Sequence, residues 1–207
     1  MSNLFVDCVT QKHLEFLERL QSLHELTLIG GTALSLQLGH RKSFDLDFVV
    51  TTTITNSLVQ QVLQALHATS VIQRMQNDDQ WTAVCDGISI TVFTDTAPFL
   101  HPVIVEKKLG NIADKHDIFS TKLFVLGRRA AWRDYVDIAT CIRHGGTALK
   151  QGIQEAVQRY HIADRWILEP LTYFNDLEKV PVEWVRYEMT DIEVQNSIEN
   201  EVRRIIL

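Results

Sequence analysis

The 207-residue sequence predicts an α+β fold, a mixed β-sheet flanked by helices and followed by a helical C-terminal half. Three patterns carry that expectation. Apolar residues recur two apart through Phe44, Leu46 and Phe48, and again through Ile88, Ile90 and Val92, the period of strands with one face on a core. Asp86-Gly87, between Trp81–Cys85 and Ile88–Phe93, is a two-residue hairpin signal. Beyond Gly110 the apolar spacing changes to that of amphipathic helices.

The elements follow in order. Leu4 to Leu20 reads as an amphipathic helix with Phe5, Phe16, Leu17 and Leu20 inward. Leu26–Ile29 is a short buried strand. It ends in Gly30-Gly31, and Thr32 to Leu38 reads as a helix that Thr32 would cap unless its hydroxyl is used elsewhere. Phe44 to Val50 is a strand with Asp45 and Asp47 on one face and Phe44, Leu46 and Phe48 on the other. A helix from Asn56, its cap, to Leu66 precedes a strand Val71–Met75, the hairpin, and a last short strand Val103–Val105. Helices are expected at about 116–127, 132–144, 148–160 and 192–206. The composition divides the chain into an α/β domain at 1–108 and a helical domain at 109–207, and it contains no repeat.

Composition sets limits on partners. Hydrophobic residues make up 45% of the chain, enough for one sizeable core. No apolar run approaches the roughly 20 residues that span a bilayer, so no membrane partner is expected. Three widely spaced cysteines, Cys8, Cys85 and Cys141, suggest neither a disulfide frame nor a metal knuckle, and a reducing cytoplasm suits them as small buried residues. The net charge is −6, and only residues 111–166 are net positive, with nine Lys/Arg against six Asp/Glu. That field is narrower than most nucleic-acid binders carry. Eight histidines are scattered, with no zinc-ligand spacing beside acids.

The chemistry concentrates between residues 30 and 47. A strand turning through glycines into a helix N-terminus leaves free backbone N–H groups and a positive dipole end, suited to phosphate. Gly30 and Gly31 would let the phosphates approach, and Thr32, Arg41 and Ser43 would contact them. Asp45 and Asp47, two apart on a strand, offer the hard oxygen ligands that Mg²⁺ prefers. A glycine pair alone is usually a turn, an Asp-x-Asp alone a solvated edge, and Lys42 a solvated loop cation. Their order is more specific than any part. It is not a Walker loop, lacking Gly-Lys-Ser/Thr after the glycines, nor a dinucleotide fingerprint, lacking a third glycine.

Gly30-Gly31-Thr32-Ala33-Leu34 with Arg41-Lys42-Ser43-Phe44-Asp45-Leu46-Asp47 resembles the signature of the nucleotidyltransferase superfamily, and more narrowly of the AbiEii-like toxins of type IV toxin–antitoxin systems. A second block, Phe119-Ser120-Thr121-Lys122-Leu123, then Arg129 and Arg133-Asp134-Tyr135-Val136-Asp137, is similar to that family's downstream motifs. Tyr173-Phe174-Asn175-Asp176 is like it only loosely. The resemblance implies a nucleotidyltransferase-type sheet and transfer of a nucleoside monophosphate from an NTP, with Mg²⁺ or Mn²⁺ held by Asp45 and Asp47. It implies a macromolecular acceptor, tRNA first and protein second, and a cognate antitoxin. Lys122 and Asp134 would be catalytic and Arg129 would bind phosphate. Lys122 and Arg129 would share a helical face, and Asp137 would be either functional or an i,i+4 partner of Arg133. Many superfamily members supply a third carboxylate from a neighbouring strand, where this chain has Thr91. A two-aspartate site follows, with a one-metal site or a base from the helical half as alternatives. The missing acid also motivates a second reading, a catalytically silent protein acting through nucleotide or partner binding.

Overall fold

Thr10, rather than Leu4, starts the first long helix. Its hydroxyl accepts the His13 N–H, so α1 spans Gln11–Leu20 and the residues before it form a 3₁₀ turn at Val6–Cys8. A computed structural model describes residues 4–175 and 177–206, so Asp176 of the tail motif lies outside the described residues. The chain continues through β1 (Thr27–Ile29), α2 (Gly30–Leu38), β2 (Asp45–Val50), α3 (Asn56–Leu66), β3 (Val71–Gln76), β4 (Gln80–Cys85), β5 (Ile88–Thr94), β6 (Ile104–Glu106) and β7 (Gly110–Ile112). Helices α4 (Lys115–Leu126), α5 (Trp132–His144), α6 (Leu149–Tyr160), α7 (Arg165–Leu171) and α8 (Asp191–Ile206) follow.

The seven strands form one mixed sheet in the order β3-β4-β5-β2-β1-β7-β6. β2 lies centrally, antiparallel to β1 and parallel to β5. Asp86 and Gly87 both take positive φ, the two-residue hairpin turn that Asp-Gly favours. Leu28, Leu46, Trp81 and Ile90 from the sheet and Phe119, Leu123, Tyr135 and Ile138 from the helices are fully or almost fully buried in one apolar cluster. Gly152 lets α6 approach α4: a Cβ there would stand 2.4 Å from the Phe119 ring. No helix among the described residues is long and apolar enough to cross a membrane.

Several boundaries differ from expectation for local reasons. The glycine pair is the first turn of α2 rather than a loop ahead of it, so Thr32 sits inside the helix and is no cap. Thr55, not Asn56, caps α3 by accepting the Leu58 N–H. Phe44 precedes β2 and is 40% exposed, so it does not join Leu46 and Phe48 inside. The three-residue strand β7 and the seven-residue α7 are too short for periodicity to show. Helix α4 ends at Leu126, which puts Arg129 in the following turn.

Candidate active site

The site lies where the C-terminal end of β1 and the N-terminal end of β2 meet α4 and α5. Gly30 has φ +76°, a left-handed conformation, and a Cβ there would stand 2.7 Å from Asp47 Oδ2. Both facts demand glycine, and together they place the Asp47 carboxylate directly on the first turn of α2. β-Strand alternation sends Leu46 and Phe48 into the core and leaves Asp47 half-buried and Asp45 exposed at the strand's start. Asp47 pairs across the sheet with Ile29 on one side and Thr91 on the other.

A cleft of about 390 Å³ opens above this junction. Gly30, Asp47 and Thr91 line its sheet side, and Lys122, Arg129 and Asp134 line its helical side. The two sequence blocks, about 75 residues apart, thus face each other. Gln80, Phe93, Thr121 and Val125 also line the cleft. Gln80 and Phe93 are register partners on β4 and β5, a relation that only strand pairing could have revealed. Thr91 carries no acid, and Thr82 donates to its hydroxyl at 3.3 Å. Asp95 lies past the end of β5, where its carboxylate accepts the Ala97 N–H and the Tyr160 hydroxyl proton. The further acid in the cleft comes instead from α5, as Asp134.

The remaining residues of the first block sit behind the cleft. Thr32 Oγ1 donates to the Asp45 carbonyl and lies 2.8 Å from Ser43 Oγ, tying α2 to the entry of β2. A Cβ on Gly31 would meet Arg41 Nη2 at 2.5 Å, so this glycine makes room for a guanidinium. Arg41 is 5% exposed and grips Asp137 with two hydrogen bonds, Nε to Oδ1 at 2.7 Å and Nη2 to Oδ2 at 2.8 Å. His40 Nε2 lies 2.7 Å from the same carboxylate. Lys42 points away, and its ammonium donates to the Asp7 carbonyl.

Asp137 is fully buried and receives a second cation beside Arg41, Lys122 Nζ, at 2.7 Å. It does not pair with Arg133, which is exposed. Lys122 also donates to Asp134 Oδ1 at 2.8 Å, leaving Asp134 Oδ2 buried and without a hydrogen-bond partner among the described residues. Burial opposes ionisation of Asp137, but Arg41 and Lys122 outweigh it and hold its carboxyl well below the usual range. Burial likewise disfavours charge on Lys122, and Asp134 and Asp137 reverse that, raising its pKa. Asp47 shows the opposite balance. Burial first and the Asp45 carboxylate second push its pKa up to about 6, against weaker opposing pulls from Lys122 and Arg129.

Asp47 faces the cleft with the Asp45 carboxylate close enough to raise its pKa, and across the cleft Asp134 Oδ2 has no hydrogen-bond partner among the described residues. Such a donor set fits a hard divalent cation. The nearby ammonium and guanidinium, on Lys122 and Arg129, are suited to phosphate oxygens.

Comparison with known proteins agrees with this geometry. The family model described as "Nucleotidyl transferase AbiEii toxin, Type IV TA system" matches residues 15–80. An uncharacterized protein of Aquifex aeolicus is 29% identical over 167 residues, covering 78% of this chain and 81% of that protein. A crystal structure of an H. pylori protein, described as a candidate nucleotidyltransferase, superposes over 97% of this chain and 94% of its own, with a TM-score of 0.57 and 17% identity. The ANT(2″)-Ia structure with adenylyl-2″-tobramycin covers 72% of this chain and 95% of its own, with a TM-score of 0.51 and 14% identity. The family match spans the glycine and aspartate motifs, and the chain shares its fold with these structures.

Proposed function

We propose that this chain transfers a nucleoside monophosphate from an NTP to a hydroxyl of a macromolecule, with tRNA the first choice of acceptor and a protein the second, and that it is the toxin of a toxin–antitoxin pair whose partner is a cognate antitoxin. The observation that carries the reading is the Asp47 carboxylate resting on the glycine turn of α2, beside Asp45 and across a cleft from Lys122 and Arg129. Mg²⁺ or Mn²⁺ held by Asp45 and Asp47 would supply the charge neutralisation that phosphoryl chemistry needs. Lys122 and Arg129 would orient the triphosphate, the arginine by a two-pronged contact. Asp134 Oδ2, without a hydrogen-bond partner among the described residues, would take the proton of the attacking hydroxyl. Thr32, Ser43, Arg41 and Gly31 then hold the strand–helix junction in shape rather than touch the phosphates.

The test is incubation with each labelled NTP, Mg²⁺ and total tRNA, with and without Asp45→Ala or Asp47→Ala. Label on RNA that disappears in both variants supports transfer. Label on protein with none on RNA moves the acceptor to the second choice. No label on any acceptor, with wild type and variants equally toxic or equally harmless in cells, favours the silent binding protein that Thr91 suggests.

A further inference from the structure

On the far end of α4 from Lys122, two histidines and an aspartate that the sequence separates come together. His101 lies in the loop between β5 and β6, Asp114 is the N-cap of α4, and His116 sits in that helix's first turn. One ligand atom from each lies within 4.8 Å of the other two, and all three side chains are partly buried. We propose that His101, Asp114 and His116 form a binding site for a borderline divalent transition ion, Zn²⁺ first, separate from the cleft.

Four features support it. The donors are imidazole nitrogen and carboxylate oxygen, the set that zinc accepts with ligand distances of about 2.0–2.2 Å. Such bonds need ligand atoms about 3.3 Å apart, so small side-chain rotations close the cluster. Each imidazole already has a carboxylate against one ring nitrogen: His116 Nδ1 lies 2.7 Å from Asp114 Oδ1, and His101 Nε2 lies 3.1 Å from Glu155 Oε1 on α6. The His116–Asp114 contact already brings two of the proposed ligands together, and Glu155 orients His101 from outside the ligand set, as carboxylates do for metal-binding histidines. The two rings stack, with centroids 4.8 Å apart and 27° between planes. An ion between their nitrogens would favour the neutral form of both. Finally, the loop backbone is anchored. The buried Asp117 carboxylate accepts the N–H groups of Leu100 and His101 at 2.8 and 2.9 Å, and Arg159 lies 3.5 Å from it. His101 is therefore held over the start of α4 before any ion arrives. A bound ion would clamp the β5–β6 loop to α4, the helix that carries Lys122.

Metal-free protein titrated with Co²⁺ near neutral pH should develop the strong visible absorption of a low-coordinate nitrogen–oxygen site, saturating at a single equivalent and bleached by Zn²⁺. Zn²⁺ should also raise the melting temperature by mass action. Asp47→Asn, which alters the cleft, should leave the absorption unchanged. His116→Asn and His101→Asn should each weaken Co²⁺ binding by at least about tenfold, and Glu155→Gln by less. His101→Asn sits in a loop and keeps the test usable if His116→Asn disturbs α4. Absence of the absorption at millimolar Co²⁺, its loss in Asp47→Asn, or its persistence in both histidine variants would each overturn the proposal.

Discussion

Asp137 and Asp47 are aspartates withdrawn from solvent at one junction, yet their carboxyl groups shift in opposite directions. Asp137 is the more deeply buried and is the stronger acid of the two, because Arg41, Lys122 and His40 surround it. Asp47 is less enclosed and is held at about 6, because burial disfavours its charge and the Asp45 carboxylate adds to that. The deciding difference is compensation, since a buried charge is tolerated when hydrogen-bonded cations meet it. Asp137 is complete within the protein and serves as frame, pinning the Arg41 loop to α4 and α5. Asp47 is incomplete, and what it lacks is positive charge. That contrast separates the architecture of the site from its working end.

The largest expected effect falls on the frame. Asp137→Ala strands two buried cations and should cost about 3–5 kcal/mol. For a chain of this size that is a fall in melting temperature of about 6–20 °C, readable by circular dichroism. A fall of only a degree or two would show that Asp137 is not the hub its contacts describe.

Asp47→Asn should act in the opposite direction on stability. A carboxyl with a raised folded-state pKa binds its proton more tightly in the native state. Stability of the metal-free protein should therefore decline as pH rises from about 4 to about 6, by at most about 3 kcal/mol for a shift of this size. The asparagine variant lacks that decline, so without metal it should be the more stable protein at pH 7.5. Millimolar Mg²⁺ should raise the wild-type melting temperature at pH 7.5, raise it less at pH 5, and leave Asp47→Asn unmoved. A variant that keeps the full Mg²⁺ response would move the cation away from Asp47.

Much of this contrast was legible in the sequence, and the reasons are physical. Strand alternation put Asp45 and Asp47 on one face, and the strand–glycine–helix order set them beside α2. Helical spacing found α5 and most of α4. What the sequence hid was the division of labour within each motif. Gly31 and Arg41 read as phosphate contacts, whereas Gly31 accommodates Arg41, and Arg41 spends both prongs on Asp137. The partner of Asp137 is 96 residues away, beyond any local pattern, while the i,i+4 pairing with Arg133 was the local alternative. The His101–His116 pair was invisible for the same reason, since a loop and a helix start carry no shared period.

Arg129 offers a smaller effect at the working end. It is exposed and lies in the turn after α4, yet its charge reaches Asp47. Arg129→Ala should change stability by less than about 0.5 kcal/mol. It should lower kcat/KM by about tenfold through loss of one phosphate contact, and Arg129→Lys should restore part of that. A variant as active as wild type would remove Arg129 from the triphosphate path.

The adjacent pair Arg41 and Lys42 brings the contrast down to neighbouring residues. They look interchangeable as a basic dipeptide, but the strand entry sends their side chains apart. Arg41 joins the isolated bridge to Trp184 and turns inward to Asp137. Lys42 turns outward, where its ammonium donates to the Asp7 carbonyl. Arg41→Lys should be poorly tolerated, because an ammonium cannot supply the two-pronged grip that the guanidinium makes. Lys42→Ala should shift stability by less than about 0.5 kcal/mol and leave kcat/KM near wild type. A large loss of transfer activity in Lys42→Ala, with the melting point unchanged, would mean that Lys42 swings toward the nucleotide, and the boundary between frame and working end would have to be redrawn through that side chain.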